Sequence, residues 1–544
     1  MAKDIIYDND AQTKLLAGIE KIAKAVGTTL GPAGRNVIID EYGSIHCTRD
    51  GVSVAKSITL KDPFENLGAN AIKEVAEKSN KNCGDGTTTS TILASAIYKN
   101  GLKYVALGSN ATQLKNGIMK AANSAIDYVN SISKPVSTRD DVHNVAYISA
   151  NGDKNIADTI SDVLDKLGAD GTVKVEDGQT AEMTSKIVEG MVLDVGFVSP
   201  YMATNSETME ADLDNPFVLI ASKKLSNLQD MLPCLQSVSQ TGRPLLVIAD
   251  DFQEDVISSI IMNRLRGTLN AVLVKSPSYG DNRKAILDDI AIMCGAAVVS
   301  DETGVRIEQA VVDGLVLGQA KRVLIKKDST VIFDGVGNKD AIDERANSIR
   351  AQIETTTSDY DKDKLKERLA RLVSGIGVIS VGADTEAERK ELRDRVDDAF
   401  CAAKSAIRSG IVAGGGSTLL MAAEHVKKFA ETLSGEEKVG AMILQQALSA
   451  PARKIVENAG LDSGYIVNKI IDDTTIQNCG FNVLTGEYVN MIDAGIIDPT
   501  EVVVNEIRNA VSVSSLLITT DALVVEAKDE TKQTSAPAGM PGMM

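Results

Sequence analysis

The alternation of apolar and polar positions changes character along the chain. Residues 10–26 place Leu15, Leu16, Ile19, Ile22, Ala23 and Val26 at helical spacing, the stripe of a helix with one buried face. Gly27 and the run Thr29-Leu30-Gly31-Pro32 punctuate its end. Residues 36–40 and the stretch around Cys47 read as a short β pair. A second helix spans 64–81 and stops at the loop NCGDGTTT. A third runs from Ser90 to about Leu107. The block up to residue 132 is therefore mainly helical.

From about 170 to 340 short β-type runs recur: 172–175, 217–221, 245–249, 271–275, 296–300 and 322–326. Helical segments at 225–240, 254–267 and 283–294 lie between them. Strands alternating with helices predict a parallel or mixed sheet covered by helices. Residues 338–373 are strongly charged, with Leu365, Leu369 and Leu372 on one side, and predict a solvated antiparallel helical pair. A charged helix over 385–409 runs into AGGGST, and helical texture then returns to about residue 526. The chain leaves one helical domain, builds an α/β insertion and comes back. The tail, rich in Gly, Pro and Met, cannot pack a core.

Length and charge narrow the classes. At roughly 150 residues per domain, the 544 residues suggest several domains. Lys and Arg number 57 against 75 Asp and Glu, a net charge of −18. Such a surface repels phosphate backbones and anionic lipid, which argues against nucleic acid and membrane as partners. Aromatic residues are 3%, with no Trp, so stacking platforms for bases are scarce. The six cysteines, at 47, 83, 234, 294, 401 and 479, form no CxxC pair and are expected as reduced, buried thiols. His46, His143 and His425 form no zinc motif. The first residues have neither an apolar core nor an Arg-rich presequence, and no apolar run approaches the ~18 residues of a membrane span. The expectation is a soluble, cytoplasmic protein.

Candidate chemistry centres on loops. Gly84-Asp85-Gly86-Thr87-Thr88-Thr89 stands just before a helix. Glycines allow close backbone approach, free amides at a helix start attract anions, and Asp85 could hold Mg²⁺ against phosphate oxygens. The chain has no Gly-Lys dipeptide, so any nucleotide site here is not a Walker P-loop. A capped helix with a polar loop is the plain alternative. Gly414-Gly415-Gly416 follows another helix and suggests close approach or a tight helix corner. Asp50, Asp398 and Asp498 lie near such loops; each could serve as base or metal ligand, or simply cap a helix. Two apolar stripes, Leu228/Met231/Leu232/Leu235/Val238 and Val256/Ile257/Ile260/Ile261/Leu265, read either as core faces or as a groove for apolar segments.

Several longer stretches occur in fixed order: TLGPAGRNVIID, RDGVSVAKSI, ENLGANAIKEVAEK, GDGTTTST, VEGMVLDVGFVSPYM, VKSPSYGDNRKAILDDIA, LGQAKRV, SDYDKDKLKERLARL, AGGGST and NMIDAGIIDP. On these the chain resembles a group I chaperonin, of the bacterial GroEL type, from its first residues to its Met-rich end. The resemblance implies a multidomain α and α/β fold. A mainly helical equatorial domain would comprise 1–132 and 409–526. A small α/β intermediate domain would comprise 133–188 and 376–408. An α/β apical domain, 189–375, would be inserted between, and 527–544 would be a flexible tail. It further implies two stacked seven-membered rings of this chain. ATP hydrolysis with Mg²⁺ and K⁺ would then drive enclosure of non-native polypeptides under a GroES-type co-chaperonin.

Carried over by position, Thr29, Leu30, Gly31 and Pro32 match the family's first nucleotide loop. Asp85, Gly86, Thr87, Thr88 and Thr89 match its phosphate loop, with Asp85 as the Mg²⁺ ligand. Gly415 matches the glycine run beside the nucleotide. Asn482 and Asp498 match positions around base and ribose. Asp50 and Asp398 match the carboxylates that serve hydrolysis. Phe197, Ser199, Tyr201, Met202, Leu232, Leu235, Ile257, Ile261 and Met262 match the apical face for substrate and lid, expected to be exposed. There are departures. Arg49 replaces the usual Lys, Ala33 a basic residue, Val483 and Leu484 smaller residues in the base pocket, and Val195 an Arg that can pair across subunits with an acid resembling Glu386. These departures leave an ATP-insensitive holdase or scaffold of the same fold as the alternative function. A metabolic kinase would need a phosphoacceptor site, and no motif supplies one.

Overall fold

In the computed structural model, residues 2–527 are described, apart from 42–43, 137, 169–171, 179–181, 206–207, 313, 315, 357, 374 and 473–474. The expected tail thus lies, beyond Ala527, outside the described residues. The chain divides into two compact units. One comprises 1–162, 177–182 and 381–544, the other 163–176 and 183–380. The fold is mixed α and α/β, as the sequence pattern implied.

The first unit is mainly helical. The first predicted helix runs Asp8–Gly27 and turns Leu15, Ile19, Ile22 and Val26 inward. The second runs Pro63–Cys83, and the third starts earlier than its apolar stripe, at Thr87. These share a core with helices Ala111–Ile132, Ser417–Ala430, Gly435–Ala447 and Thr500–Ile518. Thr500–Ile518 is enclosed on nearly every face and packs on Pro63–Cys83, Thr87–Ala106 and Ala111–Ile132. The first two long helices touch backbone to backbone. A Cβ at Gly18 would fall 1.9 Å from the Glu65 carbonyl oxygen, and one at Gly68 2.3 Å from that of Leu15. Asp62 fixes the start of the second by accepting from the Phe64 and Glu65 amides, and Lys14 pairs with it at 2.6 Å. The chain's ends meet here: Lys3–Tyr7 pairs antiparallel with Ala522–Glu526, Ile5 opposite Val524. The predicted short β pair is the hairpin Val37–Glu41 with Ser44–Thr48. Among the described residues no helix is long and apolar enough to cross a membrane.

The second unit is built on an eight-stranded sheet. Its path runs Ala271–Lys275, Leu245–Phe252, Phe217–Leu225, Gly318–Ile325, Thr330–Gly335, Gly190–Leu193. The first three strands are parallel, with Val218 opposite Leu246 and Val272 opposite Leu246. They are the predicted all-apolar runs, and helices Leu228–Thr241, Glu254–Leu265 and Gly280–Cys294 accompany them. All-apolar strands follow from burial on both faces. The other neighbours pair antiparallel. The run at 296–300 yields only Val298–Val299. Thr172–Asp177 belongs instead to a separate three-stranded sheet with Ile376–Val381 and Thr184–Val188. The pattern missed Thr184–Val188, Gly190–Leu193, Ala211–Asp214, Thr330–Gly335 and Ile376–Val381 as strands.

The charged segment 338–373 forms two helices, Lys339–Thr355 and Asp359–Val373, packed on each other. Their arginines do not all face water. Arg345 Nε donates to Asp289 Oδ1 at 2.7 Å, and Arg368 Nε to Oδ2 at 2.9 Å. Asp289 is 2% exposed and Arg368 9%. Removing Asp289 leaves the enclosed Arg368 without its carboxylate, while the half-buried Arg345 keeps Asp288 at 4.0 Å. Asp289→Ala is expected to cost the second unit about 3–5 kcal/mol. In urea followed by circular dichroism, part of the helical signal should then be lost at a lower midpoint than in the parent.

Candidate functional site

Segments from along the first unit line one pocket of about 460 Å³, within the roughly 300–1,000 Å³ typical of small-molecule sites, and five of them carry its loops and strand ends. The first is the end of Asp8–Gly27. Gly31 has φ of +79°, and the turn is tied down from outside. Asn458 Nδ2 donates to the carbonyls of Gly27 and Leu30, both at 2.9 Å. A guanidinium NH₂ of Arg49 donates to the Gly31 carbonyl at 3.1 Å, while its buried Nε has no partner.

The second segment ends strand Ser44–Thr48 and starts helix Gly51–Ser57. Asp50 is the N-cap of that helix, accepting from the Val52 amide at 3.0 Å and the Ser53 amide at 2.8 Å. It caps a helix, as one of the sequence readings held, and it also lines the pocket.

The third segment is the turn Gly84-Asp85-Gly86. Gly84 and Gly86 have φ of +69° and +77°, which residues with a Cβ adopt at a cost. Gly86 is the N-cap of Thr87–Ala106 and offers no side-chain acceptor. The first amides of that helix are therefore open to a ligand. The Asp85 carboxylate accepts from the Gly86 amide at 2.6 Å and from the Ser149 hydroxyl at 3.0 Å. Behind it lies a buried polar layer. Ser79 and Ser90 hydroxyls bond at 2.8 Å, Asn509 donates to Ser79 at 3.1 Å, and Asn505 to the Cys83 sulfur at 2.8 Å.

The fourth and fifth segments arrive together. Strand Ile411–Ala413 pairs antiparallel with Ile497–Pro499, Val412 opposite Asp498. That pairing sets Asp498 beside the glycine run. A Cβ at Gly414 would lie 2.9 Å from Asp498 Oδ1, and one at Gly415 2.8 Å from the Met491 methyl. Gly416 begins helix Ser417–Ala430, again without a side-chain cap. Thr500–Ile518 begins after Pro499, also without one. The hairpin Cys479–Asn482 with Glu487–Asn490 closes the rim. Asn482 Oδ1 accepts from the Leu484 amide at 3.0 Å, and Leu484 stands exposed.

Thr29, Leu30, Gly31, Pro32, Arg49, Asp50, Asp85, Gly86, Thr87, Thr88, Thr89, Asp398, Gly415, Asn482, Val483, Leu484 and Asp498 all line this pocket. Residues that the sequence reading missed also line it, among them Asn144, Ser149, Ile455 and Glu506. Charge is the dominant feature. Burial pushes the Asp85 carboxyl above the usual carboxylate range, and Asp50 adds to the shift. Burial, then Asp50, Asp85, Asp394 and Asp397, holds Asp398 well above it. Asp498 is pushed up to about 7 by burial and Asp85. Burial, with Arg395 second, makes the Arg49 guanidinium less basic. Among the described residues no three His, Cys, Asp or Glu side chains converge as a metal site. The pocket thus offers amides to an anion and scattered carboxylates to a cation. A metal-bound phosphate chain carries both.

The expected exposed apolar face in the second unit is only partly present. Tyr201, Leu232 and Met262 are exposed, and Ser199, Ile257 and Ile261 are half-buried. Phe197, Met202 and Leu235 are buried. Phe197 bridges to Val274, the Met202 sulfur accepts the Leu273 amide at 3.4 Å, and Leu235 turns inward with Met231, Cys234 and Val238. All three pack with the core of the sheet. Of the six thiols, expected to be buried, Cys47 is exposed and Cys401 half-buried; none of the six is in a disulfide.

Asp498 yields a pH test. Its raised folded value means that the native state holds more protons than the unfolded chain between about 4 and 7. Its burial therefore costs nothing below the unfolded value and costs fully above the folded one. Asp498→Asn is expected to raise the thermal midpoint more at pH 8 than at pH 5, read by scanning calorimetry.

The family model described as the TCP-1/cpn60 chaperonin family matches residues 22–528. Among solved structures the chain is similar to the chaperonin gp146 from the bacteriophage EL 2 (Pseudomonas aeruginosa), crystallised in the presence of ATP-BeFx. In crystal form II the TM-score is 0.72 at 22% identity, covering 96% of this chain and 99% of that one. In crystal form I it is 0.64 at the same identity and coverage. At that identity the likeness speaks for the fold. The family match spans nearly the whole described chain, and the chain belongs to the TCP-1/cpn60 chaperonin family.

Proposed function

We propose that the chain is an ATP-dependent chaperonin that hydrolyses ATP in this pocket to bind, enclose and release non-native polypeptides. One observation carries the reading. Every residue picked from the sequence as nucleotide-binding or hydrolytic, from segments hundreds of residues apart, lines a single cavity. Family membership and the likeness to a chaperonin solved with ATP-BeFx support it.

The roles follow from chemistry. The open amides at Thr87–Thr89 and the positive ends of the helices starting at Thr87 and Ser417 attract the phosphate chain. Thr29 to Pro32 and Gly415 let backbone approach it closely. Asn482, whose carbonyl oxygen is engaged by the Leu484 amide, presents its NH₂ as a donor near the base, flanked by Val483 and Leu484. Asp498 would serve the ribose. Asp398 and Asp50 would orient water. Burial among acids raises the proton affinity of Asp398, which makes its deprotonated form a stronger base toward that water. The buried acids have few cationic neighbours, which fits a bound cation. Asp85 would hold Mg²⁺ together with phosphate oxygens, and K⁺ would lie nearby. The ions supply neutralisation of phosphate charge.

Under this reading the chain has the three-domain division set out from the sequence, and 189–375 is the apical domain. Tyr201, Leu232 and Met262, with the partly exposed Ile257 and Ile261, form its contact face for substrates and for a GroES-type lid. Copies of the chain assemble as two stacked seven-membered rings in the cytoplasm.

The test is refolding of a denatured client that cannot refold alone, with a matching co-chaperonin, Mg²⁺ and K⁺. Asp398→Ala is expected to keep ATP affinity while turnover falls about 100-fold or more, measured by phosphate release. It should capture the client without productive release. A parent chain that captures clients but ignores ATP would be a holdase and would overturn the proposal.

A further inference from the structure

Behind the turn at Gly86, three buried polar side chains from three helices meet in a chain: Asn509 of Thr500–Ile518, Ser79 of Pro63–Cys83 and Ser90 of Thr87–Ala106. Asn509 Nδ2 lies 3.1 Å from Ser79 Oγ, and Ser79 Oγ lies 2.8 Å from Ser90 Oγ. The Ser90 hydroxyl donates to the Gly86 carbonyl, and the Ser90 amide donates to the same carbonyl at 3.0 Å. Donor chemistry fixes where each hydrogen goes. A carbonyl only accepts, so the one hydroxyl hydrogen of Ser90 goes to Gly86. The hydrogen between the two serines then comes from Ser79. Ser79 has none left for Asn509, whose NH₂ must be the donor. The order runs one way, from Asn509 through Ser79 and Ser90 to Gly86.

This chain ends on the pocket wall. The Gly86 carbonyl and the Thr87 N–H belong to one peptide unit, and Gly86 and Thr87 both line the cavity. Gly86 gives the first amides of the helix no side-chain acceptor, which leaves them to a ligand. Two donors engage both lone pairs of the Gly86 carbonyl. Donation to a carbonyl polarises its peptide, and hydrogen bonds in series strengthen one another in a dry interior. The same two bonds hold the plane of a peptide whose glycine, with φ of +77°, is otherwise free to turn. Packing alone needs none of this, because apolar side chains of similar size would fill the space with no polar atom to satisfy. We propose that Ser90, backed by Ser79 and Asn509, is a positioning residue for the phosphate turn. The chain orients and polarises the Gly86–Thr87 peptide, so that the Thr87 N–H meets a phosphate oxygen as a stronger donor. The inference rests on the reading of the pocket as a nucleotide site and adds three residues which that reading does not contain.

Four variants of the full-length chain test it: Ser90→Ala, Ser79→Ala, the two together, and both combined with Asn509→Leu. The readouts are affinity for Mg·ADP and for adenosine by calorimetry, and Tm. Ser90→Ala is expected to weaken Mg·ADP about two- to fivefold, the share of a charge-assisted bond that such a neighbour adds. Adenosine, which carries no phosphate, should bind as before. Ser79→Ala should show a smaller loss of the same kind. The double variant should be no worse than Ser90→Ala, because Ser79 acts through Ser90. Stability should part from affinity. Ser90→Ala strands the Ser79 hydrogen and lowers Tm. The triple variant removes the stranded groups and recovers Tm, while its Mg·ADP affinity stays low. An affinity that recovers together with Tm would mark a merely structural layer and overturn the proposal. So would an unchanged Mg·ADP affinity in Ser90→Ala, an equal loss for adenosine, or additive losses in the double variant. A parent that binds Mg·ADP but does not hydrolyse ATP overturns the ATPase reading alone, and the same comparison still decides the role of the chain. A parent that binds neither ligand overturns both.

Discussion

Charge balance in the pocket of the first unit is the constraint on which the local architecture turns. Asp50, Asp85, Asp398, Asp498 and Glu506 line one cavity, and four of them are held above the usual carboxylate range by burial first and by one another second. Like charges this close are tolerable only if protons, helix ends or bound cations offset them. The structure uses helix ends. Two helices, beginning at Thr87 and Ser417, start beside the cavity at glycines that give no side-chain cap; the first amides of Thr500–Ile518 are already engaged by the Gly410 carbonyl and the Ser409 hydroxyl. Under the proposed nucleotide reading, the open amides at Thr87–Thr89 that moderate the acids would also be the donors a phosphate chain needs.

The protein places these groups with rigid parts. Asp498 is fixed by strand pairing with the segment that leads into the glycine run. Asp50 is fixed by two backbone amides. The first loop is fixed by Asn458 and Arg49. Asp398 differs, because it rides on the long helix Glu386–Ser409. A carboxylate carried by a helix can be advanced or withdrawn as a body, a natural way to make chemistry depend on conformation.

Much of this was legible in the sequence, and the reasons are physical. Glycines at 31, 84, 86, 415 and 416 occupy left-handed backbone that other residues avoid, so the loops announced themselves. The parallel strands announced themselves through unbroken apolar runs. Convergence was not legible, because nothing local to Asp498 reports that Ile411–Ala413 is its partner. Thr184–Val188 was missed because its residues are mixed, and Gly190–Leu193 because it is only four residues long; the pairing of both is long-range. The inward turn of Phe197, Met202 and Leu235 was missed because an apolar residue looks the same whether its face is covered or bare. Glu506 had a signal in the sequence: Asn505, Glu506 and Asn509 cluster within a helix rich in Val, Ile and Leu. Polar residues at such spacing on a fully enclosed helix must find partners, and here they face the phosphate turn and the polar layer behind it.

The pairing of the two chain ends has a consequence for how the protein comes to exist. Lys3–Tyr7 finds its partner strand only at Ala522–Glu526, and the helix at the centre of the first core, Thr500–Ile518, is made almost as late. During synthesis the N-terminal helices leave the ribosome long before either element. The second unit, nearly all of it between residues 183 and 380, has its sheet and crossover helices complete while the first unit still lacks its centre. Translation thus imposes an order in which the inserted unit matures first. The opening 130 residues must meanwhile keep their apolar faces from wrong partners until the last stretch of chain arrives.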